Sequence, residues 1–221
     1  MSYGTVGYSK AEYASTLAAT LAYFLYLQGD AVGLLTFDEQ LRDYLPARHR
    51  TGHLRHLMLA LEQPVAGHAT DVVAPLKRMV EIVRKRGVIV LISDFLAPVD
   101  RLSEALSALG ASGHEVIVVQ VLDPAELNFE FKRPAMFQDV ESGRTLFIDP
   151  VTARKAYLNK LAEHSAGLRA ACQRLGFSWL SLATDSPLEL ALFDFLRERM
   201  QRRNRVRRVA HYQPSGVRTA A

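Results

Sequence analysis

The chain has 221 residues, 49% of them hydrophobic and 23% charged, enough for one good-sized α/β domain and unlike a disordered or fibrous polymer. Its formal net charge of +4 is unevenly spread, because residues 201–221 hold six arginines and no acid and the preceding 200 residues therefore carry −2. A single cysteine, Cys172, excludes an internal disulfide or cysteine cluster and, between Ala170 and Leu175, reads as a buried structural thiol.

The first expected element is a helix. Ser9 and Glu12 form a capping box, Tyr13, Leu17, Leu21, Phe24 and Leu25 follow at helical spacing, and Gly29 stops it. Its apolar stretch from Leu17 to Leu27 is too short to cross a bilayer and lacks the flanks of a signal peptide, so no transmembrane segment is expected and the chain reads as cytoplasmic. Ala31 to Phe37 and Leu41 to Leu45 read as an antiparallel hairpin turning at residues 38–40, followed by a short helix over His53 to Leu61. Thr70-Asp71 opens a longer helix running to Arg86, with Pro75 in its first turns, where no donor is needed.

Gly87 to Ser93 is a continuous β-branched run, the pattern of a parallel strand covered on both faces. A helix over Val99 to Leu109 and a second buried strand over Glu115 to Leu122 complete a right-handed βαβ unit. Asp123-Pro124 reads as a turn. Phe137 to Glu141 and Arg144 to Ile148 suggest a small hairpin around Ser142-Gly143. Asp149-Pro150 starts a long helix to about Leu175, Phe177 to Leu182 is a strand, and Ser186-Pro187-Leu188-Glu189 caps a last helix through Leu190, Phe193 and Leu196. No repeat or linker divides the chain: residues 1–200 are expected to form one domain, and residues 201–221 a basic, disordered tail.

Ligands of open parallel sheets gather at the carboxyl ends of the strands, which singles out Asp94, directly after the run ending in Ser93. Gly67 to Leu76, with Thr70 and Asp71, and Val88 to Phe95 resemble the second and third metal loops of von Willebrand factor A domains. Ser9 to Ala14, Gln28 to Phe37, Ser93 to Phe95, Asp139 to Gly143 and the helix start at Ser186 narrow the resemblance to the bacterial domain-of-unknown-function 58 family, in order over residues 1–200.

That resemblance implies a Rossmann-like von Willebrand factor A sheet with helices on both faces and the small hairpin as an insertion. It implies a site for Mg²⁺, with Thr70 as hydroxyl ligand, Asp94 as carboxylate, and Asp71 and Ser93 beside them, completed by a partner's acid. A hard dication suits such oxygen ligands. It also implies a protein partner, a MoxR-type AAA+ ATPase, acting with this chain in the assembly or maturation of other proteins. The family's Asp-x-Ser-x-Ser loop, expected before a Met that aligns with Met1, is absent from the sequence, and with it the first, central strand. The chain is therefore expected to be N-terminally truncated and its metal site incomplete, with open edges at 31–37 and 87–93.

Two other function classes compete with this reading. A hydrolase-type enzyme could use Asp94, but no Gly-x-Ser-x-Gly elbow, Walker loop or Gly-x-Gly-x-x-Gly occurs, and His49, His53, His56 and His68 sit in polar surroundings. No small-molecule substrate is expected. Arg202, Arg203, Arg205, Arg207 and Arg208 could bind nucleic acid or a membrane surface. The only aromatic of the tail is Tyr212, beyond these arginines, so a solvated tail is the expectation.

Overall fold

The computed structural model describes residues 1–38, 41–63, 72–129, 131, 135–138, 145–190 and 193. The chain divides into two compact units, Met1–Ser186 and Pro187–Ala221.

Helix α1 (Lys10–Leu27) carries the expected capping box, with Ser9 accepting from the Glu12 N–H and Glu12 accepting from Ser9. Two of its orphan N–H groups are taken by the segment before it: Ala11 donates to the Met1 carbonyl and Lys10 to that of Tyr3, both at 2.9 Å. Gly4 permits this fold-back, because a β-carbon there would overlap the Tyr8 carbonyl oxygen. Strands β1 (Val32–Phe37) and β2 (Leu41–Arg48) form the antiparallel hairpin, β2 running three residues further than the sequence suggests. Helix α2 (His53–Leu61) follows. His53 is buried rather than in polar surroundings, its Nε2 lying 2.8 Å from the Val32 carbonyl and bolting α2 to β1.

Helix α3 spans Val73–Ile82 and stops short of Arg86. Three successive cations, Arg84 to Arg86, give it no apolar face to continue, and the His114 ring accepts the role of cap at the Val83 carbonyl, 3.0 Å away. The βαβ unit is present: β3 (Val88–Ser93), α4 (Val99–Ala111) and β4 (Glu115–Leu122), with β3 and β4 parallel and in register from Val88↔Glu115 to Ser93↔Gln120. Asp123 does not sit in a plain turn. It caps a short helix, α5 (Pro124–Asn128), in a second capping box with Glu126, and Pro124 occupies the first helical position.

Strands β5 (Ala135–Gln138) and β6 (Thr145–Ile148) form the small antiparallel hairpin, its first strand displaced toward the N-terminus relative to expectation. The turn expected at Ser142-Gly143 lies outside the described residues. Helix α6 (Pro150–Arg174) and strand β7 (Ser178–Ala183) complete the unit, β7 pairing parallel with β4.

Three parallel strands, ordered β3-β4-β7, thus form the main sheet among the described residues. Val116 and Val118 of β4 pack with Leu76 and Met79 of α3, Leu102 and Leu106 of α4, and Leu168 and Cys172 of α6. Ile117, Val119 and Val121 alternate to the opposite face and are buried too, and α1 packs against β3 and β4. Helices therefore cover both faces, which is why β4 is a near-continuous apolar run. Among the described residues β1 pairs with β2 alone and β3 with β4 alone, so each leaves one edge without a strand partner. Both edges open onto a cleft of about 190 Å³ lined by Leu34 to Phe37, Ile92, Ser93 and, from α1, Ala11 and Ala14.

Candidate functional site

The carboxyl ends of β3 and β4 place two acids side by side in sequence position, Asp94 and Asp123, each directly after its strand. Asp94 is 7% exposed. Its loop is held in an unusual conformation: Phe95, a buried aromatic, has φ of 51°, in the left-handed region that bulky residues avoid. Three bonds hold that conformation. Ser93 Oγ accepts from the Phe95 N–H at 3.3 Å, Gln120 Nε2 donates to the Asp94 carbonyl at 3.1 Å, and His164 of α6 donates from Nε2 to the Phe95 carbonyl at 2.8 Å. Gln120 and His164 come from separate elements, so tertiary structure joins the loop's own Ser93 in aiming the carboxylate.

What it is aimed at is Lys10. The Lys10 ammonium lies 2.9 Å from Asp94 Oδ2 and 2.7 Å from Glu126 Oε1, with its side chain 2% exposed. The Met1 ammonium is 3.3 Å from the same Asp94 oxygen. Burial works against the charge on Lys10, but Asp94 and Glu126 outweigh it and hold the ammonium above its ordinary pKa. Burial likewise raises Asp94, yet Lys10 and the terminal ammonium together hold the carboxyl below the usual range. Lys10 and Asp94 therefore stand as an ammonium–carboxylate pair at neutral pH.

Asp123 is satisfied differently, by neutral donors. It is fully buried and accepts from the Thr5 hydroxyl at 2.6 Å, the Thr5 N–H and the Ala125 N–H at 2.8 Å, and the Thr184 hydroxyl at 3.4 Å. Burial opposes its ionisation, but the bonds from Thr5 and Ala125 leave its pKa lowered. Tyr8 and Tyr13 add donations to the Thr184 and Ser186 carbonyls. Residues 1–13 are in this way stitched to the ends of β3, β4 and β7.

Among the described residues, the groups around Asp94 do not suit a divalent ion. A dication sharing Asp94 with the Lys10 ammonium would meet repulsion on the order of 8 kcal/mol at about 4 Å and an effective dielectric of 20. Among the described residues no group of three or more His, Cys, Asp or Glu is arranged to hold a metal. Thr70, the expected hydroxyl ligand, Asp71 beside it, His68 and the arginines from Arg202 to Arg208 all lie outside the described residues. Ser93 is 1% exposed and serves as a brace for the loop.

Lys10, Glu126 and Thr5 were not singled out from the sequence as site residues. One signal for Lys10 was available. A lysine at the first position of a helix opposes the helix dipole, and one followed by an apolar face needs an acid to satisfy it. Asp-Pro-x-Glu at 123–126 was equally legible as a capping box. Nothing local marked Thr5, whose partner is 118 residues away.

Flanking the ion cluster, Leu96 is 50% exposed and Leu127 is 37% exposed. Leu96 follows Asp94 by two residues and Leu127 follows Glu126 by one, so exposed apolar side chains stand close in sequence to both acids of the cluster.

The family described as "Protein of unknown function DUF58" matches residues 1–167. An uncharacterized protein of Mycobacterium tuberculosis is 31% identical over 191 residues, covering 84% of this chain and 59% of the relative, so the chain spans little more than half of that protein's length. An uncharacterized protein of Mycobacterium avium is 32% identical over 117 residues, 52% of this chain and 68% of the relative. Among solved structures, an aerotolerance-related membrane protein from Bacteroides fragilis aligns with a TM-score of 0.55 at 16% identity, over 87% of this chain and 89% of that one. The conserved hypothetical protein BatB from Bacteroides thetaiotaomicron aligns with a TM-score of 0.53 at 15% identity over the same shares. At these identities the likeness is one of fold.

Proposed function

The chain belongs to the DUF58 family, and from that premise we propose that it is a non-enzymatic protein-interaction module of the von Willebrand factor A type, with a MoxR-type AAA+ ATPase as its partner in the assembly or maturation of other proteins. The observation that carries this reading is the pair of exposed leucines, Leu96 and Leu127, close in sequence to Asp94 and Glu126 of the Lys10–Asp94–Glu126 cluster at the carboxyl end of the parallel sheet. Exposed apolar side chains next to fixed charge suit a protein partner, since the leucines lose water on contact while the charges set register. Ser93, the one hydroxyl beside Asp94 in sequence, is buried and accepts a backbone N–H, which disfavours it as a nucleophile and weighs against the hydrolase alternative.

Mg²⁺ at an adhesion-type site was the cofactor implied by the family resemblance, and the Asp94 geometry speaks against it in the described chain. A cytoplasmic location is part of the reading. Among the described residues no helix is long and apolar enough to cross a membrane.

The test is co-precipitation of a MoxR-type ATPase by this chain, wild type against a Leu96→Asp, Leu127→Asp double variant. Both positions are surface-exposed, so the variant should fold and melt as wild type does while recovery of the ATPase falls at least tenfold. Equal recovery by both proteins would remove this face from the interaction, and no recovery by the wild type would remove the partner.

A further inference from the structure

We infer that Lys10 is itself the cation of this site, so that the face around Asp94 is built, and engages its partner, without a divalent ion. The inference rests on the proposed interaction role for its second half only; the first half concerns the chain alone.

Lys10 is the first residue of α1, where the helix dipole disfavours positive charge, and its side chain is 2% exposed. A lysine so placed persists as an ammonium only if acids surround it. Two do, and they come from different loops: Asp94 follows β3, and Glu126 lies in the helix that follows β4. One ammonium therefore ties together the ends of two parallel strands and the start of α1. That is the structural task a dication performs when carboxylates from separate loops converge on it. Here the task is done by hydrogen bonds of 2.9 and 2.7 Å from a covalently attached charge that chelation cannot remove. The same ammonium, 2.9 Å from Asp94 Oδ2, repels a dication from that carboxylate. The loop itself is set by Gln120 and His164, so its shape depends on no ligand either.

Titration of the full chain with MgCl₂ and MnCl₂ by calorimetry, alongside thermal unfolding in chelator and in millimolar Mg²⁺, tests this directly. The wild type should give no saturable heat and the same unfolding midpoint to within about 1 °C. Lys10→Met removes the cation that Asp94 and Glu126 share and leaves only the Met1 ammonium, 3.3 Å from Asp94, beside the two acids, so the folded variant should acquire weak but saturable divalent binding and a midpoint that climbs with Mg²⁺. A wild-type chain that binds either ion saturably overturns the inference, as does a folded Lys10→Met variant that stays indifferent to both. Should that variant not fold, the wild-type titration decides alone. Capture of the ATPase, run in chelator and in Mg²⁺, should be equal. Capture confined to the Mg²⁺ lane counts against metal independence, whereas failure in both lanes counts against the partner and leaves the calorimetry standing.

Discussion

Replacing Asp123 by alanine probes how far the amino-terminal segment is part of the folded unit. The carboxylate holds three strong bonds, two from Thr5 and one from the Ala125 N–H, and one long bond from Thr184. Losing the helix cap at Ala125 costs about 1 kcal/mol. Bonds to a charged acceptor are each worth about 1.5–3 kcal/mol when the donor is stranded without water. Thr5 is exposed and can rehydrate, so about 1 kcal/mol for each of its two bonds is the appropriate share. The total is about 3 kcal/mol, a large fraction of the roughly 5–15 kcal/mol that holds a domain together. Urea unfolding followed by circular dichroism should show that loss, and the thermal midpoint should fall by about 6–12 °C. Thr5→Val, which removes one hydroxyl donor, should cost about 1 kcal/mol in the wild type and close to nothing on the Asp123→Ala background. An Asp123→Ala cost below about 1 kcal/mol, or a Thr5→Val cost that is the same on both backgrounds, would refute the reasoning.

Asp123 also sets a pH dependence. Its folded pKa lies below the ordinary 3.8, so its contribution is complete above that value and is lost as pH falls through the folded pKa. The stability difference between wild type and Asp123→Ala should hold constant from neutral pH down to that range and shrink below it, as followed by unfolding at stepped pH. Gly33→Ala should destabilise by about 1–3 kcal/mol in the same assay. Its added carbon would meet the Ala47 nitrogen at 2.7 Å and the Leu45 oxygen at 2.8 Å, both backbone atoms across the hairpin. Gly87→Ala, with open space around it, is the matched control and should be near neutral. The Cys172 thiol, fully buried and pushed up to about 11, should resist a thiol reagent at pH 8 until the chain is unfolded, and ready labelling of the native protein would contradict its placement.

The sequence carried the elements well wherever one signal was local and strong. The Ser9–Glu12 box, the run from Val88 to Ser93, the run from Glu115 to Leu122 and Asp149-Pro150 each mark an element that the structure contains. Errors fell where a local pattern had two meanings. Asp123-Pro124 is compatible with a turn or with a helix start, and Glu126 decides between them. The end of α3 is set by His114 reaching the Val83 carbonyl from 31 residues away, which no window along the chain could reveal.

Of the site, the sequence by itself determined which acid would stand at the end of a buried parallel strand, because a β-branched run ending in Ser-Asp leaves the carboxylate few other places. It also fixed the order of elements, hence the family, and the pairing of β1 with β2. Only the tertiary structure decided what Asp94 touches. Lys10 is 84 residues away and Glu126 comes from the next strand's loop, and an ion pair between them exists only because parallel strands bring their carboxyl ends to one side while α1 packs its start across them. Charge partners are a property of that convergence, and residue spacing along the chain does not encode it.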